Sequence, residues 1–298
     1  MRRPWIGSLA LSALLFTAAA WPQSALVFQS DFGTLDGAVA AMKGVAVGVS
    51  PDIRIYDLTH HIPPYNIWEA ALRLVQTAEY WPTGTVFVSV VDPGVGTDRK
   101  SVVLKTRSGH YFVTPDNGTL TFVAPRLGIA GVREIDEAVN RRRNSEKSYT
   151  FHGRDVYAFT AARLASGAIR FEQVGRELPN EVVTILHQAP RFDAGVLYGN
   201  VHTQDRNYGN IWTNIDRDVF GMLQVGIGEL LKVEIRNGAK AVLNLTLPYV
   251  TTFGSVQSGK PLLYLNSLDS VSLAINQGSF ADRYQIGSGP EWTIRIRR

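Results

Sequence analysis

Hydrophobic and polar positions change texture once along this chain. In the first half, short apolar runs alternate with stretches of helical periodicity. Ala25-Leu26-Val27-Phe28 reads as a buried strand and Ile53 to Leu58 as a second. Between them lies a helix that Asp36 is placed to cap and that runs to about Val47. Asn66, followed three residues later by Glu69, has the form of a capping box and opens a helix through Tyr80. Thr85 to Val91 is almost uninterrupted apolar and β-branched, as suits a central strand covered on both faces. Ser101–Thr106 and His110–Thr114 flank the turn Arg107-Ser108-Gly109, and a helix from about Asp155 to Ser166 stops at Gly167. This alternation predicts an α/β domain with a mainly parallel sheet over residues 25–180.

After Pro179 the runs become short and alternating: Val196–Val201, Leu231–Arg236, Ala241–Leu247, Leu262–Leu265, Ser270–Leu273 and Trp292–Arg297. Asn237-Gly238 sits between two of them as a hairpin signal. The expectation is an all-β, barrel-like C-terminal domain over 191–298, joined to the first near residues 178–191. There is no internal repeat and no low-complexity tract.

Composition narrows the chemistry. The 298 residues include no cysteine, which excludes a disulfide scaffold, a thiol nucleophile and a thiolate metal site. Thirty basic and 26 acidic residues are dispersed, and the net charge of +4 lacks the clustered basic face of a nucleic-acid reader. The one basic run, Arg141-Arg142-Arg143, continues into Asn144-Ser145-Glu146-Lys147-Ser148 and reads as a solvated loop. At the N-terminus, Arg2 and Arg3 precede an apolar stretch from Trp5 to Ala20 that ends in small residues, the form of a secretory signal peptide over 1–20. This predicts an exported protein, with an anchor formed by an uncleaved leader as the alternative, and no stable membrane association once the leader is cleaved.

Two acids occupy strand ends, Asp31 after Leu26–Gln29 and Asp92 after Thr85–Val91. In open α/β sheets ligands bind beyond the carboxyl ends of the strands, so such acids gather in a cleft, although either is equally able to cap a turn. Asp92 opens Asp92-Pro93-Gly94-Val95-Gly96-Thr97-Asp98-Arg99, a tight loop whose far end brings Arg99 back towards Asp92. Gly94-Val95-Gly96 lacks the third glycine and the helix that a dinucleotide fingerprint needs. Phe151-His152-Gly153-Arg154-Asp155 places a histidine just before a helix, with Asp155 as its cap. His60-His61 raises a metal site with Asp31 or Asp92, but neighbouring side chains on a strand point to opposite faces. Asp205-Arg206-Asn207-Tyr208-Gly209-Asn210-Ile211-Trp212-Thr213-Asn214 gathers acid, amide and aromatic groups suited to a heteroaromatic base or an amino-acid head.

Six segments together resemble the SAM hydroxide adenosyltransferases, relatives of fluorinase and chlorinase. They are Ser30-Asp31-Phe32-Gly33, Asp92-Pro93-Gly94-Val95-Gly96, Pro115-Asp116-Asn117-Gly118, Phe151-His152-Gly153-Arg154-Asp155, Gly209-Asn210 and Leu265-Asn266-Ser267, in the family's order and across residues 25–298. The resemblance implies an N-terminal α/β domain, a C-terminal β-barrel and a homotrimer. In it, S-adenosylmethionine (SAM) lies between the N-domain of one subunit and the C-domain of its neighbour. It further implies hydrolysis of SAM to adenosine and methionine by attack of water at ribose C5′, with no cofactor and no metal. By this likeness Asp92, Arg99 and His152 activate the water, and Asp31 holds the ribose diol. Asp36, Asp205 and Ser267 would meet the methionine end, Asn210 the adenine edge, and Tyr65 and Phe253 the nucleoside faces.

The residue types suit that chemistry. A sulfonium leaves as a neutral thioether, so the main demand is a nucleophile held in line with the C5′–S bond. A carboxylate is a poor base towards water, whose pKa is about 15.7, so the expectation is an Asp92–Arg99 pair that orients water while His152 accepts or relays its proton. Halogen transfer is the close competitor, but the fluorinating relatives carry Tyr and Ser where this chain has Asp92 and Gly153. Leu268 also stands where fluorinase has an arginine. Two further readings are an exported binder of adenosyl compounds and a metal-dependent phosphate or nucleotide hydrolase using Asp31, Asp92 and His60.

Overall fold

The computed structural model describes residues 24–298. Its first half contains β1 (Leu26–Ser30), α1 (Ala38–Val49), β2 (Ile55–Thr59), α2 (Ile67–Ala78), β3 (Val86–Val90), β4 (Ser101–Thr106), β5 (Tyr111–Pro115), α3 (Val123–Leu127) and β6 (Ile129–Glu134). A π-helical turn at Gly153–Ala158 then runs into α4 (Phe159–Ala165), and β7 (Glu177–Leu178) closes the series. The seven strands form one sheet in the order β2-β1-β3-β5-β4-β6-β7. The β2-β1-β3-β5 core is parallel, whereas β4, β6 and β7 continue it antiparallel. The sheet is therefore mixed, with a parallel centre.

Both faces of that centre are covered, which is why its strands read as unbroken apolar runs. Leu26, Phe28, Val86 and Val88 pack against α1, the π-turn and α4. Val27, Phe87 and Phe112 point the other way, onto α2 and α3. Asn66 caps α2 by accepting from Glu69 N at 2.9 Å, but the predicted box is not reciprocal. The buried Glu69 carboxylate instead takes Arg73 at 2.6 Å and Thr203 Oγ1 at 2.8 Å, tying α2 to the second half of the chain.

The second half contains β8 (Arg191–Asp193), β9 (Val196–Asp205), β10 (Asn210–Asp216), α5 (Arg217–Gly221), β11 (Leu230–Asn237), β12 (Lys240–Pro248), β13 (Pro261–Leu265), β14 (Ser270–Ile275), α6 (Phe280–Tyr284) and β15 (Trp292–Arg297). They form an antiparallel sheet ordered β12-β11-β15-β9-β10-β14-β13, with β8 paired to β9. A bridge between Tyr249 and Leu263 brings its two ends together, so the sheet is a nearly closed barrel. Its lumen is filled by Leu197, Ile211, Val233, Leu273 and Ile294. The Asn237-Gly238 hairpin joins β11 to β12, with Gly238 at φ 54°. Residues 179–190 run between the sheets and lie against the first, where Asp116 accepts from Val183 N and Thr121 Oγ1 accepts from Ile185 N.

Three expectations need correction. The Arg141–Ser148 stretch is a loop with Arg143, Asn144, Glu146 and Lys147 exposed, but Arg141 and Arg142 are not simply solvated. Arg141 donates to Glu137 and to the Ser145 and Ser148 carbonyls, and Arg142 pairs with Asp155. Asp155 does not cap a helix; it is fully buried between Arg142 and Arg154. The expectation of export is also withdrawn. The leader on which it rested lies outside the described residues, and among those no helix is long and apolar enough to cross a membrane.

Candidate active site

The carboxyl ends of β1 and β3 deliver Asp31 and Asp92 to one cavity of about 380 Å³, also lined by Phe32, Tyr65, Phe151 and His152. Asp92 is fixed from two directions. Its preceding carbonyl, on Val91, accepts from Asn117 Nδ2 at 2.9 Å, and Thr119 Oγ1 holds that amide in place. Its carboxylate takes Arg99 Nε on Oδ1 at 2.9 Å and Arg99 Nη2 on Oδ2 at 2.6 Å, the fork geometry that suits a guanidinium. The 92–99 loop closes against the segment that carries His152. Gly96 has φ 79°, and a side chain there would stand 2.9 Å from the Tyr149 carbonyl oxygen.

Arg99 reaches further. Its Nη1 donates to Ser101 Oγ at 3.0 Å and its Nη2 to His152 Nδ1 at 2.9 Å. A guanidinium has no acceptor, so His152 Nδ1 must carry a lone pair and the ring hydrogen sits on Nε2. Burial is the main reason the His152 pKa lies below its ordinary 6.5; Arg99 and Arg141 push the same way, against Glu137 and Asp92. The ring is thus neutral at pH 7. Burial alone would lower the Arg99 pKa, but Asp92 more than compensates and raises it. Asp92 and His152 line the cavity, whereas Arg99 stands behind both.

Around the rim, Asp31 Oδ2 accepts from Tyr65 N at 2.9 Å. Tyr65 holds φ 65°, a strained conformation for a side-chain-bearing residue, and its ring is largely exposed. Gly153 sits tightly at the floor, where a Cβ would meet Val90 Cγ1 at 3.0 Å and Phe32 Cε2 at 3.4 Å. Asp36 lies outside the cavity and accepts from Ala38 N at the start of α1. His60 is a structural residue. Its Nδ1 meets Ser30 Oγ at 2.7 Å and its Nε2 meets Asp57 Oδ1 at 3.1 Å, leaving neither nitrogen for a metal.

The remaining candidates gather elsewhere. Asp205, Asn210, Phe253 and Ser267 line a second cavity of about 770 Å³ on the barrel, with Trp212 and Tyr264. Phe253 packs edge-on to Tyr264 at 5.0 Å, and burial, helped by Asp205, pushes the Tyr264 phenol up to about 12. No residue lines both cavities. In a single chain the candidates therefore fall into two separate groups, one on each domain.

The SAM hydroxide adenosyltransferase N-terminal-domain profile matches residues 26–175 and the C-terminal-domain profile residues 199–293. The chain belongs to the SAM hydroxide adenosyltransferase family. Among its SAM hydroxide adenosyltransferase relatives, it is 37% identical over 222 residues to the (R)-S-adenosyl-L-methionine hydrolase of Methanocaldococcus jannaschii, covering 73% of this chain and 76% of that one. It is 35% identical over 269 residues to the hydrolase of the same name from Salinispora tropica, covering 90% and 96%. It is also 31% identical over 294 residues to a fluorinase of an Actinoplanes species, covering 90% and 96%. Among solved structures, an uncharacterized conserved protein from Thermotoga maritima superposes with TM-score 0.82 at 34% identity, covering 92% of this chain and all of that one.

Sequence reading did not find Asn117, Ser101 or Tyr157 as contributors to the site. Asn117 was visible within a family segment but without a role. Ser101 and Tyr157 belong to no motif and reach the site through long-range hydrogen bonds to Arg99 and Asp92.

Proposed function

We propose that this protein hydrolyses S-adenosylmethionine to adenosine and methionine. One observation carries the reading: a carboxylate and a neutral imidazole face the same small cavity, both tethered by one guanidinium. Water attacks ribose C5′ as the C5′–S bond breaks, and the electron pair of that bond leaves on sulfur as the neutral thioether of methionine. One proton is released. Water becomes strongly acidic as its lone pair is committed to carbon, so a carboxylate suffices as a base late in the step. Asp92 takes that proton. With its hydrogen on Nε2, His152 orients the water by donating rather than by accepting, a change from the role its residue type first suggested. Arg99 is a positioning residue for both.

Asp31 would hold the ribose diol, with Tyr65 against the nucleoside. Asn210 and Phe253 would meet the adenosyl group, and Asp205 and Ser267 the methionine head, from the barrel of a neighbouring copy. Two incomplete half-sites on one chain support this arrangement, and a homotrimer would close it. Leu268 N donates to Asn266 Oδ1 at 2.8 Å, so its amide is engaged in the turn and Ser267 remains the contact for the head group. A halide would have to approach the Asp92 carboxylate, which repels it. No cofactor is required by this chemistry.

Incubation of the purified protein with SAM should yield adenosine and methionine in equal amounts, unchanged by chelator or chloride. A 5′-chlorinated nucleoside in chloride would make it a halogenase, bound but intact SAM a binding protein, and loss of activity in chelator a metal enzyme.

A further inference from the structure

Behind Asp92 lies a ring of hydrogen bonds, two of whose members, Ser101 and Tyr157, the reaction above does not use. Arg99 Nη1 donates to Ser101 Oγ at 3.0 Å. Ser101 Oγ lies 3.1 Å from Tyr157 OH, and Tyr157 OH donates to Asp92 Oδ2 at 3.4 Å. Asp92 returns to Arg99 through the fork, so four side chains from the β3 end, the 92–99 loop, β4 and the π-turn close a cycle. Ser101 and Tyr157 are buried, Tyr157 completely.

The hydrogens in this ring can be assigned. The Asp92 carboxylate only accepts, so Tyr157 spends its single hydrogen there. Tyr157 must then accept from Ser101, whose Oγ in turn accepts from Arg99. Burial, reinforced by the Asp92 charge, raises the Tyr157 pKa, so the phenol keeps that hydrogen throughout the working pH range. Arg99 Nη2, Tyr157 OH and a second, 3.2 Å branch of Arg99 Nε thus converge on Oδ2, while Oδ1 has only the 2.9 Å branch of Nε. Arg99 Cζ also lies 5.8 Å from the Tyr157 ring centre, which holds the guanidinium over the aromatic face.

We propose that Tyr157 and Ser101 are positioning residues: Tyr157, oriented by Ser101, saturates Oδ2 of Asp92 and leaves Oδ1 as the atom that takes the water's proton. This deepens the hydrolase reading and rests on it. Without the phenol, Oδ2 regains a free lone pair, the carboxylate plane is no longer unique, and a misplaced acceptor lowers the rate without weakening substrate binding.

The test compares wild type with Tyr157→Phe, Ser101→Ala and Ser101→Thr, measuring kcat and KM for SAM. Y157F and S101A should each lower kcat about tenfold, the scale of one hydrogen bond to a charged group, with KM within about twofold. S101T, which keeps the hydroxyl on a strand-compatible side chain, should restore wild-type kcat. Wild-type kcat in both Y157F and S101A overturns the proposal, as does an S101T variant as slow as S101A. If wild type itself forms no adenosine, the hydrolase reading has failed, and crystal structures of wild type and Y157F decide the ring on its own. A rotated Asp92 carboxylate in Y157F supports it, and an unchanged one overturns it.

Discussion

Arg99 Nη2 donates to His152 Nδ1 across 2.9 Å while Nε and Nη2 of the same guanidinium grip the Asp92 carboxylate. One side chain therefore sets the tautomer of the imidazole and, with Tyr157, the orientation of the acid. Its geometry, more than its charge, is what the cavity depends on.

Arg99→Lys should accordingly behave far worse than conservation of charge suggests. A lysine is a point charge that cannot donate along three fixed directions to Asp92, Ser101 and His152. We expect kcat for adenosine formation to fall by about a hundredfold, comparable to loss of a positioned acid–base partner. The KM for SAM should change little, since Arg99 does not line the cavity. Steady-state kinetics of the variant check both; a raised KM at wild-type kcat would place Arg99 against the substrate instead.

The pH dependence follows from His152. Its folded pKa is lowered, chiefly by burial, from an ordinary value of 6.5. The neutral ring accepts from Arg99; the protonated ring cannot. Activity should be level above pH 6.5 and fall at a pH below it. Stability moves in the same direction. The unfolded chain takes up its proton first as pH falls below 6.5, so folding weakens from there down to the folded pKa. A profile of kcat against pH checks this, and an acid limb above 6.5 in wild type contradicts a neutral ring.

Much of this was legible in the chain. Unbroken apolar runs located β1 and β3, and their terminal acids located the cavity. Strand direction was less accessible, because the hydrophobic period of β4 and β6 is the same whether they run parallel or antiparallel to β5. Long-range polar pairing was also out of reach: nothing local connects Arg142 to Asp155, or Ser101 to Tyr157. Residue spacing alone does not separate Asp31 and Asp92 from Asp205 and Asn210; the family resemblance, which divides a substrate between domains of neighbouring subunits, already implies that they lie in different cavities of one chain.

Asp155 gives a stability prediction. Desolvation would raise its pKa, but the guanidiniums of Arg154 and Arg142 outweigh burial and hold it at about 2. Its contribution to folding is present above the ordinary 3.8 and is lost as pH falls through about 2. Asp155→Asn should destabilise the protein by about 2–3 kcal/mol at pH 7, somewhat less than a fully buried pair broken on one side, because both arginines reach solvent. Urea unfolding of the two proteins at pH 7 measures the difference, which should shrink on acidification towards pH 3.

The division of the candidates between two cavities makes a prediction that kinetics on mixed assemblies can decide. Asp92→Asn damages the half-site on the first domain, and Asn210→Ala the one on the barrel. If each working site takes its first-domain half from one copy and its barrel half from the next, neither variant alone has an intact site. When the two are unfolded together and reassembled, however, an Asn210→Ala chain supplies an intact Asp92 to the barrel of an Asp92→Asn chain. Random mixing of equal amounts then makes about a quarter of all sites fully wild type, as the cyclic arrangement dictates. Activity should rise well above either parent towards that fraction. If instead both halves came from the same chain, every site would still carry one lesion and the mixture would show only the average of its parents.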